Sequence, residues 1–533
     1  MSIINSLSSS INRQQPILFL GVCVAVLCLF LRLHSGLDID NYLWAEDGEI
    51  FFGAASSLGI QSLWTPYAGY IHLYPRFVAW LANYLPLAYI PKVYFFSWGL
   101  AFLGSIYAIT YCAIKTKLNH YNIIFLSVFI VLQPNDSEVF FSLTNSQWLL
   151  GLALTTIVAT QHALKLSISK LIFVITASLT GPFSILITPL VILKVVLQKS
   201  FYKNKTFYLG IFVCAMIQVG FILYTGRVAG APMNLSPVAW VKSYLIILLF
   251  GASNPLTLFF GVTFWSAIFY ALYQRLNQRS KTNTKGDLYI VFYLFIACIL
   301  HITADFYALK DPYAILAMAK SGGGRYTLAP YTLIIFSAIL LAQPFKKTNI
   351  IIISSALMIS LLQFYVANRP NMHFNSFARY AEYENVNIPI NPVYSKYPGS
   401  HINSDKKRTK ETSDLISQSL TFHQENERII SKAGSPKQFI LDTPVSCKNT
   451  SDIAVRLDLL RDTAGWITLY WNDKARAFDK KSIKRYYPTG KVNAQFAFPA
   501  SEQPNYLGLV FDDLSSKVTI IKAVAYCIPK HEK

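Results

Sequence analysis

Between residues 17 and 366 one pattern repeats: a long apolar run, a short polar break, then another apolar run. An α-helix needs about 20 apolar residues to cross the roughly 30 Å hydrocarbon core of a bilayer. Lipid offers backbone groups no partners, so continuous runs of this kind cross it as helices. Composition agrees, with 14% charged residues and a mean hydropathy of +0.38, against about 25% charged in soluble domains. The fold class read from this is an α-helical polytopic membrane protein. About eleven transmembrane helices are expected, near 17–34, 92–114, 121–134, 147–163, 170–181, 183–198, 206–225, 256–273, 287–305, 326–343 and 349–366. Residues 238–251 read as an interfacial or re-entrant helix, because Gly251, Asn254 and Pro255 break it. The first run follows Arg13 like a signal sequence but lacks a small-residue cleavage site, so it reads as a retained span.

Charge orients the spans. With the N-terminus inside, fifteen Lys and Arg fall in inner loops and seven in the longer outer loops, as the positive-inside rule requires. Eleven crossings then leave everything after residue 366 outside. The net charge of +20 divides into +13 for residues 1–366 and +7 for the remainder. No nucleic-acid module accompanies it, so the expected neighbours are the lipid bilayer and anionic glycan, with no nucleic acid.

Acid is scarce. The first 366 residues hold ten acidic side chains, and five of them, Asp38, Asp40, Glu46, Asp47 and Glu49, lie in the first outer loop, residues 38–75. They sit among Trp44, Phe51, Phe52, Trp64, Tyr67, Tyr70 and Tyr74, which make a poor solvated loop and a plausible site. The second outer loop adds Asp136 and Glu138, then Asn145, Gln147 and Trp148 at the head of the next span. A tight turn follows at Thr180-Gly181-Pro182-Phe183. A later loop ends in Gly322-Gly323-Gly324-Arg325-Tyr326, where a Gly-rich turn and a guanidinium fork can grip phosphate. The bland alternatives are an Arg that snorkels at a membrane edge and Tyr, His and Trp of an interfacial belt.

Past the last span, residues 367–436 are Pro-, Asn- and charge-rich and read as an extracytoplasmic exit segment and linker, with one helix around 409–431. From 437 to 533 short alternating runs such as IAVRLDLLR and WITLYWN suggest a C-terminal extracytoplasmic β-sandwich of a kind that often holds carbohydrate. Cys23, Cys28, Cys112, Cys214 and Cys298 lie in expected spans, where cysteine acts as a small apolar residue. Cys447 and Cys527 alone lie in the outer domain, where they can form a disulfide or stay as buried thiols. The nine histidines lack the spacing of a metal site, so no metal and no cofactor is expected.

Taken together, WAEDG at 44–48, PYAGYIHLYPR at 66–76, SEVFFSLTNSQW at 137–148, TGPF at 180–183, GGGRY at 322–326 and IPINP at 388–392 resemble large bacterial membrane glycosyltransferases of GT-C architecture. Within that group the likeness is to serotype-converting O-antigen glycosyltransferases, and it covers roughly residues 15–395. The resemblance implies a GT-C-like catalytic domain over residues 1–366 in the bacterial inner (cytoplasmic) membrane, with a cytoplasmic N-terminus and a periplasmic C-terminal domain. It implies transfer of a sugar from a polyprenyl-phosphate carrier to a hydroxyl of a surface glycan, such as O-antigen or lipopolysaccharide, on the periplasmic face. The carboxylate of the first outer loop is then the general base, which puts Asp47 in that role with Glu46 as the alternate; Glu138 orients the acceptor or shares the task. Arg325, with Tyr326, is expected at the donor phosphate. Tyr67, Tyr70, His72, Asn145, Gln147 and Trp148 are expected to contact sugar or acceptor. Two other readings share this membrane context: a lipid-linked-glycan flippase or transporter, and an O-antigen polymerase.

Overall fold

The computed structural model describes residues 2–33, 39, 43–44, 46–134, 138–160, 167–198, 201–226, 236–251, 254–278, 285–309, 324–366, 371–390, 401–403, 410–411, 413, 415–420, 422–424, 437–441, 447, 450–472, 481–500, 506–511 and 518–529. The helices are α1 (Ser2–Leu29), α2 (Gly53–Leu58), α3 (Leu73–Ala82), α4 (Ile90–Lys115), α5 (His120–Leu132), α6 (Ser146–Thr160), α7 (Ile168–Ser178), α8 (Phe183–Gln198), α9 (Phe201–Tyr224), α10 (Pro237–Leu248), α11 (Pro255–Gln278), α12 (Lys285–Leu309), α13 (Leu328–Ala342), α14 (Lys346–Leu362) and α15 (Phe374–Tyr380). Every apolar stretch read as a span therefore contains a helix. Among the described residues, six segments are long and apolar enough to cross a membrane: Gln15–Arg32, Leu87–Lys115, Lys205–Tyr224, Pro255–Asn277, Gly286–Asp305 and Gly324–Ala342. The other apolar helices are shorter, and the chain is a membrane protein by these six.

Two compact units divide the chain. The first comprises Met1–Ser35, Leu63–Phe77 and Phe96–Asn368 and is helical. Its centre is α13, whose fifteen residues are all buried, and beside it α6 is almost as fully enclosed. A helix apolar on every face is one surrounded by protein. Both helices end on a cation borrowed from a neighbour. Arg275 of α11 donates to the carbonyls of Leu341 and Leu340 at 3.1 and 3.2 Å, and Lys194 of α8 donates to Val158 at 2.6 Å. Those carbonyls have no partner within their own helices, and a positive charge there suits the helix dipole. The opposite, N-terminal ends of α6 and α13 are left for the loops that carry the polar residues.

Buried polar clasps fix the same bundle. Gln133 donates to Thr332 at 2.6 Å and to the Leu328 carbonyl at 3.2 Å. Arg32 donates to the Val131, Gln133 and Tyr365 carbonyls at 2.7, 2.6 and 2.6 Å, joining α1, the end of α5 and the chain after α14.

The second unit comprises Gly36–Ser62, Val78–Phe95 and Arg369–Lys533. Its strands are β1 (Asn387–Pro389), β2 (His401–Asn403), β3 (Ile416–Ser419), β4 (Phe422–Gln424), β5 (Lys437–Leu441), β6 (Thr450–Arg461), β7 (Gly465–Asn472), β8 (Ser482–Tyr487), β9 (Gly490–Pro499), β10 (Tyr506–Phe511) and β11 (Val518–Pro529). They form antiparallel sheets in the orders β4-β5-β10-β7-β8 and β3-β11-β6-β9, with β1-β2 apart. Trp471 of β7 stacks on Phe498 of β9 at 4.5 Å, so residues of the two larger sheets share a core. Cys447 and Cys527 are disulfide-bonded with their Cα atoms 5.5 Å apart, tying the approach to β6 onto β11.

Two expectations change here. The helix read around 409–431 is replaced, where the chain is described, by β3 and β4. The segment Ile416–Gln424 is rich in Ser, Thr and His, which are poor helix formers, and β11 and β5 offer it ladder partners. Strands β3 and β4 thus lie within the stretch read as linker, residues 367–436. Secondly, the first outer loop does not belong wholly to the helical domain, because Gly36–Ser62 clusters with the C-terminal region.

Candidate active site

In the helical unit, four separated loops meet at the heads of α6 and α13. The first is the turn Tyr67-Ala68-Gly69-Tyr70. Its two ends bond each other reciprocally, Tyr67 N to Tyr70 O at 3.0 Å and Tyr70 N to Tyr67 O at 3.2 Å. Ala68 and Gly69 both have positive φ, 53° and 87°, which is the backbone of a two-residue hairpin turn. Glycine takes this shape freely; alanine there costs about 1 kcal/mol. His72 follows, its ring centre 5.6 Å from that of Tyr67 and 4.9 Å from that of Tyr70.

This turn is strapped to the second loop, Thr180-Gly181. Leu73 N donates to Leu179 O, and Gly181 N to Ile71 O. Gln218, wholly buried on α9, holds both: its amide donates to the Ile71 and Gly181 carbonyls at 3.1 and 2.9 Å and accepts from Ile71 N at 2.9 Å. Gly181 is required twice over. Its φ is +85°, and an added Cβ would stand 2.7 Å from Oε1 of Gln147.

The third loop leads into α6. Asn145 donates Nδ2 to the Glu138 carbonyl at 2.9 Å, and Trp98 donates Nε1 to the adjacent Val139 carbonyl at 2.9 Å, so the start of the loop is held to its end and to α4. The fourth loop is the single turn Gly324–Tyr326 that opens α13. Arg325 Nη1 lies 3.2 Å from Oε1 of Glu138, and the guanidinium carbon stands 5.3 Å from the Tyr326 ring centre. Tyr326 and Trp148 meet edge to face at 5.1 Å, and Trp148 meets Phe183 edge to face at 5.5 Å. Tyr326 also lies within electrostatic reach of Tyr70 and Asp305. Behind Phe183, His301 of α12 pairs with Thr155 of α6, Nε2 to Oγ1 at 3.0 Å.

Three polar atoms at the head of α6, Oδ1 of Asn145, Oγ of Ser146 and Nε1 of Trp148, are buried with no hydrogen-bond partner among the described residues. Native interiors satisfy nearly all such atoms, so a cluster of three beside an ion pair and an aromatic wall is a place that expects a polar guest. Glu138, Asn145, Gln147, Trp148, Arg325, Tyr326, Tyr67, Tyr70 and His72 are thus gathered in one unit. Arg76, the last residue of the 66–76 motif, joins them and was given no role from the sequence. It is buried on α3, one turn after His72, and burial pulls its pKa down to about 10, which still leaves it charged at neutral pH.

Asp47 and Glu46 belong to the other unit. Asp47 opens a short π-helical turn, Asp47–Phe52, and is only 2% exposed, within electrostatic reach of Tyr94. Such turns are rare and recur at functional sites. Oε2 of Glu46 is buried and unpartnered among the described residues. Glu49, exposed, has its pKa raised first by partial burial and then by the charge of Glu46. Asp38, Asp40, Asp136 and the glycines 322–323 lie outside the described residues. Among the described residues, no three His, Cys, Asp or Glu side chains converge as metal ligands would.

No protein-family model matches the chain, and neither does any curated protein or solved structure.

Proposed function

We propose that the chain is an integral-membrane glycosyltransferase of GT-C type that takes a sugar from a polyprenyl-phosphate carrier and passes it to a hydroxyl of a surface glycan. The observation that carries this is the assembly at the heads of α6 and α13: the Glu138–Arg325 pair at 3.2 Å, the Trp148–Tyr326 edge-to-face contact, and three buried polar atoms without hydrogen-bond partners among the described residues. Aromatic rings stack on the apolar faces of sugars, and unpaired amide, hydroxyl and indole groups take sugar hydroxyls as their partners. A guanidinium beside them fits the phosphate that departs with the lipid.

The roles follow the chemistry. A sugar hydroxyl is a poor nucleophile, so a carboxylate must remove its proton as oxygen attacks the anomeric carbon. In this reading the base is Asp47, with Glu46 as alternate, and Glu138, paired with Arg325, orients the acceptor or shares the base role. The bond from the anomeric carbon to the carrier's phosphate oxygen breaks, and Arg325 meets the charge left on that phosphate. In this reading the membrane is the bacterial inner membrane, eleven spans put the N-terminus in the cytoplasm, and the two larger sheets form a periplasmic β-sandwich that presents glycan. The acceptor is O-antigen or lipopolysaccharide. A flippase would need charges along a pathway through the spans; two of the buried charges, Lys194 and Arg275, are committed to capping helix ends.

The test is to compare the surface glycan of cells with and without the gene by mass and linkage analysis. One hexose fewer per repeat in its absence supports the reading. Identical glycan with lipid-linked intermediates accumulating at the inner leaflet would replace it with transport.

A further inference from the structure

Away from the candidate active site, α4, α6 and α7 enclose a groove of about 240 Å³ lined by Tyr107, Tyr111, Cys112, Ile157, Lys170 and Phe173, among others. That is below the roughly 300–1,000 Å³ of a pocket that swallows a small molecule, and it suits a single chain. Its edges are continuous with exposed apolar side chains, Leu100, Leu103 and Tyr107 on α4 and Ile168 and Ile172 on α7. Gly104 keeps it open, since the absent Cβ would already touch the Phe173 ring at 3.6 Å.

One end of the groove is cationic. Lys115 and Lys170 hold their ammonium groups 5.2 and 5.4 Å from the centre of the same Tyr111 ring. Both lysines belong to the loops that the charge pattern assigns to the cytoplasmic side. A basic pair at the mouth of an apolar groove between membrane helices is the pattern that recognises a lipid phosphate from the inner leaflet.

We propose that this groove holds one acyl chain of an anionic phospholipid, with the lipid phosphate between the ammonium groups of Lys115 and Lys170. The aliphatic stems of the lysines cover the chain while their heads reach the phosphate. The occupant is a structural lipid, distinct from the sugar donor, and the inference does not depend on glycosyl transfer.

Native mass spectrometry of the purified full chain, offered equimolar phosphatidylglycerol and phosphatidylcholine of the same acyl composition, tests it. Phosphatidylglycerol should be retained preferentially. Each lysine removed should lower that retention about fivefold, so Lys115→Ala with Lys170→Ala should abolish the preference, and thermal unfolding of the double variant at the parental temperature shows that the fold is kept. Gly104→Leu, which fills the groove, should reduce retention of both lipids together. Glycerol 1-phosphate, a headgroup without chains, should not compete at equal concentration. Equal retention of the two lipids by the parent chain, an unchanged preference in the double variant, or displacement by glycerol 1-phosphate would each overturn the proposal.

Discussion

At the scale of single residues, the polar side chains of the outer loops were legible because an apolar chain places few of them, and each stands out against its neighbours. Glu138, Trp148 and Arg325 could be named from the sequence; the 3.2 Å pairing of Glu138 with Arg325 could not, because 187 positions separate them. Gln218 was invisible for the same reason, lying inside a uniform apolar run while clasping two distant turns. The close glycines were equally hidden. At Gly151 an added Cβ would lie 2.4 Å from the Phe183 ring, so Gly151→Ala must push that ring off Trp148. We expect a loss of about 1–3 kcal/mol in stability, as for other overpacked cores, read by denaturation of the purified chain; a variant as stable as the parent would show that Phe183 moves freely. Arg325→Ala should lower transfer by roughly 10²-fold or more and raise the donor KM. Arg325→Lys should recover only part of this, since an ammonium lacks the guanidinium fork. Full activity in both would remove Arg325 from the donor phosphate.

Elements were read with more success where one period held over many residues. Each long apolar run contains a helix, though α1 begins well before residue 17 and the short helices α2, α3 and α15 carried no such run; the alternation in β6, β7, β9, β10 and β11 located those strands. β8, Ser482–Tyr487, was not among the runs read as strands, and its ladder with β7 is what makes it one. β3 and β4 are short and polar, and only their ladders with β11 and β5 make them strands. The disulfide joins this region across 80 residues. Removing it with Cys527→Ser should cost the β-region about 2–4 kcal/mol; the unfolding transition of the parent under reductant should shift to match that of the variant. A parent transition indifferent to reductant would mean that the bridge contributes nothing.

For the whole molecule, the sequence pattern yields a sidedness that packing alone does not express. A reporter active only outside the cytoplasm should work when fused after residue 400 and fail when fused at Lys281; activity at Lys281 would break the eleven-span arrangement. The division into units was not legible, because the first outer loop is continuous in sequence while Gly36–Ser62 and Leu63–Phe77 cluster separately. Alternation and apolar runs report local structure, and the sharing of one loop between two units is a matter of long-range packing. The central claim concerns chemistry, and one substitution reaches it most directly. Asp47→Asn keeps the shape of a buried side chain and removes its basicity. In proteoliposomes supplied with a polyprenyl-phosphate-linked sugar and a glycan acceptor, the parent chain should transfer sugar. The variant should bind the donor equally well and transfer roughly 10²–10⁴ times more slowly. Transfer by Asp47→Asn at the parental rate would contradict the account.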